Sequence, residues 1–191
     1  VKDILDYSNG DLYYSTSGSN PLETQVYYVN LKKGKPGIIT RAKGTHTVEL
    51  SSDGNYYHDH FSNNTVPSAD WILRKNGTIV EKLKESDDKL WGYQIGTSEI
   101  DNLTAKDGTK LYTRLIKPSN FDPSKKYPVL VYVYGGPRSQ QITSEWLNGA
   151  SLWMYWMAEQ GYLIYTVDNR GSEGRGFAFE SQIHRQLGKV E

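Results

Sequence analysis

Residues 128–137 read Pro-Val-Leu-Val-Tyr-Val-Tyr-Gly-Gly-Pro, and residues 161–171 read Gly-Tyr-Leu-Ile-Tyr-Thr-Val-Asp-Asn-Arg-Gly. Val129 to Tyr134 and Tyr162 to Val167 are continuous apolar runs of strand length, the signature of strands buried on both faces. Between them, from about Glu145 to Gln160, Trp146, Leu147, Ala150, Trp153, Met154 and Met157 recur at helical spacing, and Gly161 supplies the stop. Strand, helix, strand with buried strands predicts a parallel βαβ unit of an α/β sheet. A Gly-rich loop follows, then a short helix expected from about Phe177 to Leu187. Immediately upstream, Ser98 to Thr104 and Leu111 to Lys117 read as strands around the turn Lys106-Asp107-Gly108-Thr109, and Pro118 to Pro128 is a polar loop.

The first half obeys a different grammar. Asp11 to Thr16, Thr24 to Asn30, Thr47 to Ser51, Tyr56 to Ser62, Ala69 to Arg74 and Thr78 to Leu83 are short strand-like runs. Ser19-Asn20-Pro21 and Lys33-Gly34-Lys35-Pro36-Gly37 read as loops between them. Ser52-Asp53-Gly54-Asn55 and Lys75-Asn76-Gly77-Thr78 read as hairpin turns, because Asp-Gly and Asn-Gly tolerate the positive φ of a primed turn. A Tyr pair follows a turn twice, at Tyr13-Tyr14 and at Tyr56-Tyr57. Strands at this spacing mean a meander, a sandwich or propeller blades. At roughly 40 to 50 residues per blade the first part holds about two of them. Two blades cannot close a propeller and leave open edges. The composition shifts near Ser86 to Lys89, and the expected division is 1–95 and 96–191.

Composition narrows the function classes. The 191 residues carry 22 basic and 22 acidic side chains, so nothing pulls the chain toward nucleic acid or an anionic membrane. There are no cysteines, which rules out disulfides, Cys-ligated zinc and a thiol nucleophile. No apolar run approaches the roughly 20 residues of a membrane span. The chain begins at Val1 with no signal-peptide pattern, which suggests a processed chain or an excised piece. Tyr contributes 15 residues and Gly 18, a mixture that suits sheets with tight turns.

Residues 117–137, from Lys-Pro-Ser-Asn-Phe-Asp-Pro to Tyr134-Gly135-Gly136-Pro137, carry a family resemblance. With Asp168-Asn169-Arg170-Gly171-Ser172 and His184-Arg185-Gln186-Leu187-Gly188, they resemble the dipeptidyl peptidase IV branch of the prolyl oligopeptidase family. Gly18-Ser19-Asn20-Pro21 with Gln25-Val26-Tyr27 is similar to propeller sequence of the same branch, so the resemblance covers nearly the whole chain. It implies a fold of β plus α/β class, in which the terminal part of a β-propeller precedes the N-terminal part of an α/β-hydrolase domain. It also implies a parent serine exopeptidase that removes N-terminal dipeptides, commonly after Pro or Ala, from peptide substrates, with no cofactor. Members are often exported and dimeric. The resemblance therefore favours a periplasmic or extracellular homodimer as parent, with no nucleic acid partner and no membrane contact within this chain.

Such chemistry needs a nucleophile, a base, an orienting acid and donors for the oxyanion. In α/β-hydrolases the nucleophile stands in Gly-x-Ser-x-Gly, followed by the acid and then the His. No Gly-x-Ser-x-Gly occurs before Glu191, so the expected chain is a catalytically incomplete portion, inactive alone. By the resemblance, the Tyr134 hydroxyl supplies half the oxyanion hole; periodicity alone makes it a core Tyr at a strand end. Gly135 and Gly136 permit a sharp turn, close approach of substrate, or both. Arg170 is read as the member of a structural ion pair holding its loop, in preference to a substrate contact.

Other residues invite over-reading. Chain order excludes His184 as the family's base, and a satisfied polar role on the last helix is expected. Ser172 near Asp168 lacks a base. His58 and His60 share one face of a strand and could hold a metal, with His46 a remote third ligand, but an exposed propeller strand is the favoured reading. Asn63, Asn76 and Asn102 each begin an Asn-x-Thr glycosylation pattern that is frequent by chance. The Trp residues of the helix are read as core packing, with Trp156 off the stripe. The competing classes are a propeller-derived protein- or peptide-binding module and a pseudoenzyme.

Overall fold

The computed structural model of the protein describes residues 1–191. Its contacts divide the chain into two compact units, Val1–Asp88 with Ser144–Trp146, and Lys89–Thr143 with Leu147–Glu191. The first unit holds β1 (Ile4–Ser8), β2 (Asp11–Thr16), β3 (Gln25–Asn30) and β4 (Pro36–Ile38), then β5 (Thr45–Leu50), β6 (Tyr56–Ser62), β7 (Ala69–Arg74) and β8 (Ile79–Glu85). These form two four-stranded antiparallel sheets, each a sequential meander, β1-β2-β3-β4 and β5-β6-β7-β8. They are the two expected blades, and they are not closed into a ring. A single parallel bridge, Thr24 with Thr45, links them.

Strict alternation builds the blade core. Tyr57, Asp59 and Phe61 of β6 point inward, as do Ala69, Trp71 and Leu73 of β7. Tyr13, Val26 and Ile39 bring the other blade into the same cluster. The two Tyr pairs meet there: the Tyr57 hydroxyl donates to the Tyr13 hydroxyl at 3.2 Å, and burial pushes the Tyr57 phenol well above its ordinary range. Two strands fall where the sequence suggested none. β1 is exposed at four of its five residues and so lacks alternation. β4 begins at Pro36, inside the predicted loop; an edge strand tolerates a proline at its first position.

The second unit contains β9 (Thr97–Thr104), β10 (Lys110–Lys117), β11 (Val129–Tyr132) and β12 (Leu163–Val167), with helices α1 (Leu152–Glu159) and α2 (Phe177–Glu180). The sheet order is β11-β12-β10-β9. β11 and β12 are parallel, as the βαβ reading requires; β9–β10 and β10–β12 are antiparallel. Ile116, Met154, Tyr155, Ala158 and Ile164 form its core.

Three expectations are corrected here. β11 is an edge strand with three of its four residues exposed, so its apolar run does not mark burial on both faces within this chain. The helix does not start at Glu145. A 3-10 turn at Trp146–Gly149 carries Leu147 and Asn148 at φ 58° and 55°, which breaks the helical path, and α1 begins only at Leu152. Its buried face is therefore Met154, Tyr155 and Ala158, while Trp153 and Trp156 are exposed. The last helix is likewise short: α2 gives way at Ser181 to a 3-10 turn ending at Ile183. No helix is long and apolar enough to cross a membrane.

Candidate functional site

Tyr134 lies two residues beyond the end of β11, at the carboxyl end of a strand of the parallel pair, and is 59% exposed. The chain turns sharply after it. Gly135 adopts φ +75°, and a Cβ on Gly136 would meet the Tyr134 ring at 3.0 Å. Both glycines therefore serve the turn: the first by its backbone conformation, the second by leaving room for the ring. Open α/β sheets place their ligand sites at the carboxyl ends of parallel strands, which is where this phenol stands.

From Ser139 onward the loop is tied down by buried polar groups. Asp168, just past β12, accepts hydrogen bonds from the amides of Gln141 (2.8 Å) and Ile142 (3.0 Å). Arg114, in the middle of β10, is 1% exposed. It donates to the carbonyls of Gln141 (2.6 Å) and Asn148 (2.7 Å) and to Thr166 Oγ1 (3.3 Å). Its Nε has no partner. Burial pulls the Arg114 guanidinium below its ordinary value and pushes the Asp168 carboxyl above its own; for Asp168 the two amide bonds oppose the push. The left-handed turn at Leu147 and Asn148 is fixed at a second point, where the Asn148 side-chain amide donates to Ser98 Oγ at 3.1 Å. Neither Arg114 nor Asp168 emerged from the sequence as a site residue. The available signal was an arginine in the middle of a central strand, between Tyr112 and Ile116.

Arg170 donates from one nitrogen to both carboxylate oxygens of Asp107, at 2.7 and 2.8 Å, and from another to the Val190 carbonyl at 3.0 Å. The Thr109 amide and hydroxyl, and then Arg170, hold the Asp107 carboxyl down to about 2. Ser172 is buried with its hydroxyl donated to the Asn169 carbonyl at 2.8 Å. His184 is exposed just past the final 3-10 turn, not on a helix.

In the blades, His58 and His60 share Asp70: His60 Nδ1 stands 2.9 Å and His58 Nε2 3.2 Å from its Oδ1. The His60 contact leads in holding the Asp70 carboxyl below its ordinary value. His46 does not join them. It is buried against Asp59, with Nδ1 at 2.9 Å from Oδ2 and Nε2 at 2.9 Å from the Ala42 carbonyl. No group of three or more His, Cys, Asp or Glu side chains is arranged to hold a metal. Asn63 is engaged through its own side chain, accepting from Thr65 and Val66 and donating to the Lys43 carbonyl.

A family model described as the dipeptidyl peptidase IV N-terminal region matches residues 1–68, and one described as the prolyl oligopeptidase family matches residues 149–191. The chain is 28% identical over 200 residues to a probable dipeptidyl peptidase 4 of Emericella nidulans, covering 98% of this chain and 25% of that protein. Against dipeptidyl peptidase 8 of Homo sapiens it is 26% identical over 195 residues, covering 94% and 21%. Among solved structures, Porphyromonas gingivalis dipeptidyl peptidase 4 superposes with a TM-score of 0.89 at 26% identity, over 100% of this chain and 27% of that one. A structure provisionally assigned as a dipeptidyl aminopeptidase IV from Bacteroides ovatus gives a TM-score of 0.88 at 37% identity, over 97% and 27%. The chain thus spans about a quarter of the length of the proteins it matches.

Proposed function

We propose, from the premise that the chain belongs to the dipeptidyl peptidase IV branch of the prolyl oligopeptidase family, that it is part of a serine exopeptidase releasing N-terminal dipeptides of Xaa-Pro or Xaa-Ala type. Residues 1–95 contribute propeller blades, and residues 96–191 contribute the front of the α/β-hydrolase domain. The parent works on peptides by acyl transfer through a serine supplied from outside these 191 residues, since no Gly-x-Ser-x-Gly occurs among them. The parent is a homodimer, as the family resemblance suggests.

Within this scheme Tyr134 carries the chemistry that the chain does hold. As the serine adds to the scissile carbonyl, negative charge gathers on the carbonyl oxygen. A neutral phenol aimed at that oxygen donates a hydrogen bond that strengthens as the charge develops, which lowers the barrier. The observation that carries this reading is the exposed position of Tyr134 just past the carboxyl end of β11, on a turn that two glycines permit. Arg170 holds its loop through Asp107 and takes no part in the chemistry.

The test is kinetic. On a Gly-Pro chromogenic substrate the full-length gene product turns over and the 191-residue chain does not. Tyr134→Phe in the full-length protein lowers kcat by roughly 100-fold, with a smaller change in KM. Unchanged kcat in a folded Tyr134→Phe variant removes the oxyanion role. Turnover by the 191-residue chain that a serine-directed fluorophosphonate blocks removes the division of labour.

A further inference from the structure

Arg114 and Asp168 are the two most deeply placed charged groups of the second unit, and no ion pair joins them. Each instead directs hydrogen bonds to the backbone of one irregular segment. Asp168 takes the amides of Gln141 and Ile142; Arg114 takes the carbonyls of Gln141 and Asn148. The Gln141–Ile142 peptide unit is thus gripped on both sides, its carbonyl by Arg114 and its amide by Asp168. Burying isolated charge is costly, and apolar replacements of similar volume commonly serve stability as well. What the charged groups add is a single conformation for a loop that regular secondary structure does not hold.

The gripped segment is the continuation of the chain from Tyr134. β11 fixes the chain up to Tyr132, and the bonds at Ser139 and Gln141 fix it again. The intervening span, 133–138, contains Tyr134, the two glycines and Pro137, and Arg138 lies at φ 57°. A span pinned at both ends has few ways to place its one large ring.

We propose that Arg114 and Asp168 are positioning residues, a buried clamp on Gln141, Ile142 and Asn148 that holds the Tyr134 span in its catalytic conformation. This rests on the reading of Tyr134 as oxyanion donor. The clamp touches neither substrate nor the reacting atoms; it acts through the loop.

A double-mutant cycle in the full-length enzyme tests it. Asp168→Asn keeps the volume and one acceptor but loses the second amide. It is expected to lower kcat by roughly 10-fold or more with little change in KM. In its background, Tyr134→Phe is expected to cost less than about 10-fold instead of roughly 100-fold, because a misplaced phenol has little left to lose. If Tyr134→Phe costs its full factor in both backgrounds, the clamp is overturned while the oxyanion role stands. If Tyr134→Phe alone is harmless, the oxyanion role falls, and the clamp with it. Arg114→Lys, which reaches one carbonyl in place of two, runs the same cycle if Asp168→Asn does not fold. Hydrogen exchange in the unmutated protein adds a readout that needs no variant. The Gln141 and Ile142 amides should exchange as slowly as those of β12, and exchange at the rate of open loops would overturn the clamp.

Discussion

Phe61 of the blade unit stacks against His46 and Trp71 with ring centroids 4.7 and 4.8 Å away, and Tyr57 and Val26 are wholly buried beside it in the same cluster. In the second unit the largest fully buried side chain is the guanidinium of Arg114. The first unit fills its interior largely with rings, the buried His46–Asp59 pair among them, on strands that pair in sequence order. The second buries a guanidinium and uses it to hold a loop. Burial of apolar area is non-directional and rewards any well-packed arrangement, whereas a guanidinium bonded to two named carbonyls rewards one. In the unit with the candidate site, apolar interior gives way to direction at Arg114.

That contrast can be broken by two substitutions in the 191-residue chain. Phe61→Ala removes a ring from a packed site and should cost about 3–5 kcal/mol, read as a shift of the urea midpoint for the blade unit. A cost below about 1 kcal/mol would mean that the blades are not held by their rings. Arg114→Met should cost far less, about 2 kcal/mol at most. The loss of bonds to the Gln141 and Asn148 carbonyls is offset by the removal of a buried charge. Hydrogen exchange at residues 141–148 should nevertheless quicken while β10 and β12 stay protected. A loss of stability as large as that of Phe61→Ala would make Arg114 a structural keystone and erase the distinction.

The blades were legible because turn signals bound their short strand-like runs. β2, β6 and β7 fall on the runs selected, with the predicted hairpin turns just before β6 and just after β7. Reading failed where the physics is not periodic. β4 is a strand only because its edge position spares Pro36 a hydrogen bond and because Gly37 has no Cβ to strike the Tyr28 ring, which a Cβ would meet at 2.4 Å. The helical pattern ran on through Leu147 to Ser151, since apolar spacing says nothing of the positive φ at Leu147 and Asn148. β11 looked buried because an apolar run reports composition, and what covers a strand is a tertiary fact. Tyr134 could be singled out through the family resemblance. The partners of its loop could not, because Arg114, Asp168 and Gln141 are far apart in the chain and meet only through sheet order.

The smallest effect concerns a charge pair beside the blade rings. Lys75 donates to Asp11 Oδ2, and its ammonium lies 4.4 Å from the centre of the Tyr28 ring. The hydrogen bond from Lys75 leads in drawing the Asp11 carboxyl below its ordinary 3.8, against the opposing effect of burial. For Lys75, burial pulls downward, but the bonds to Asp11 and Tyr13 outweigh it and the ammonium titrates above its ordinary 10.5. The signs follow from linkage. An unfolded Asp11 takes its proton near 3.8 and the folded one only at lower pH. Its contribution is whole above 3.8 and is lost as pH falls through the folded value. Lys75 contributes fully below 10.5 and loses its share as pH rises through its higher folded value. Since Lys75 is about a third exposed, solvent screening limits the pair to about 1 kcal/mol. Lys75→Met should therefore lower blade stability by about that amount at pH 7, and the gap from the unmutated chain should close as urea melts are taken from pH 5 down to pH 2. A gap that stays constant over that range would assign the loss to the ammonium's contact with the rings. Ring contact would then account for this site as well, and the contrast with the Arg114 unit would be sharper still.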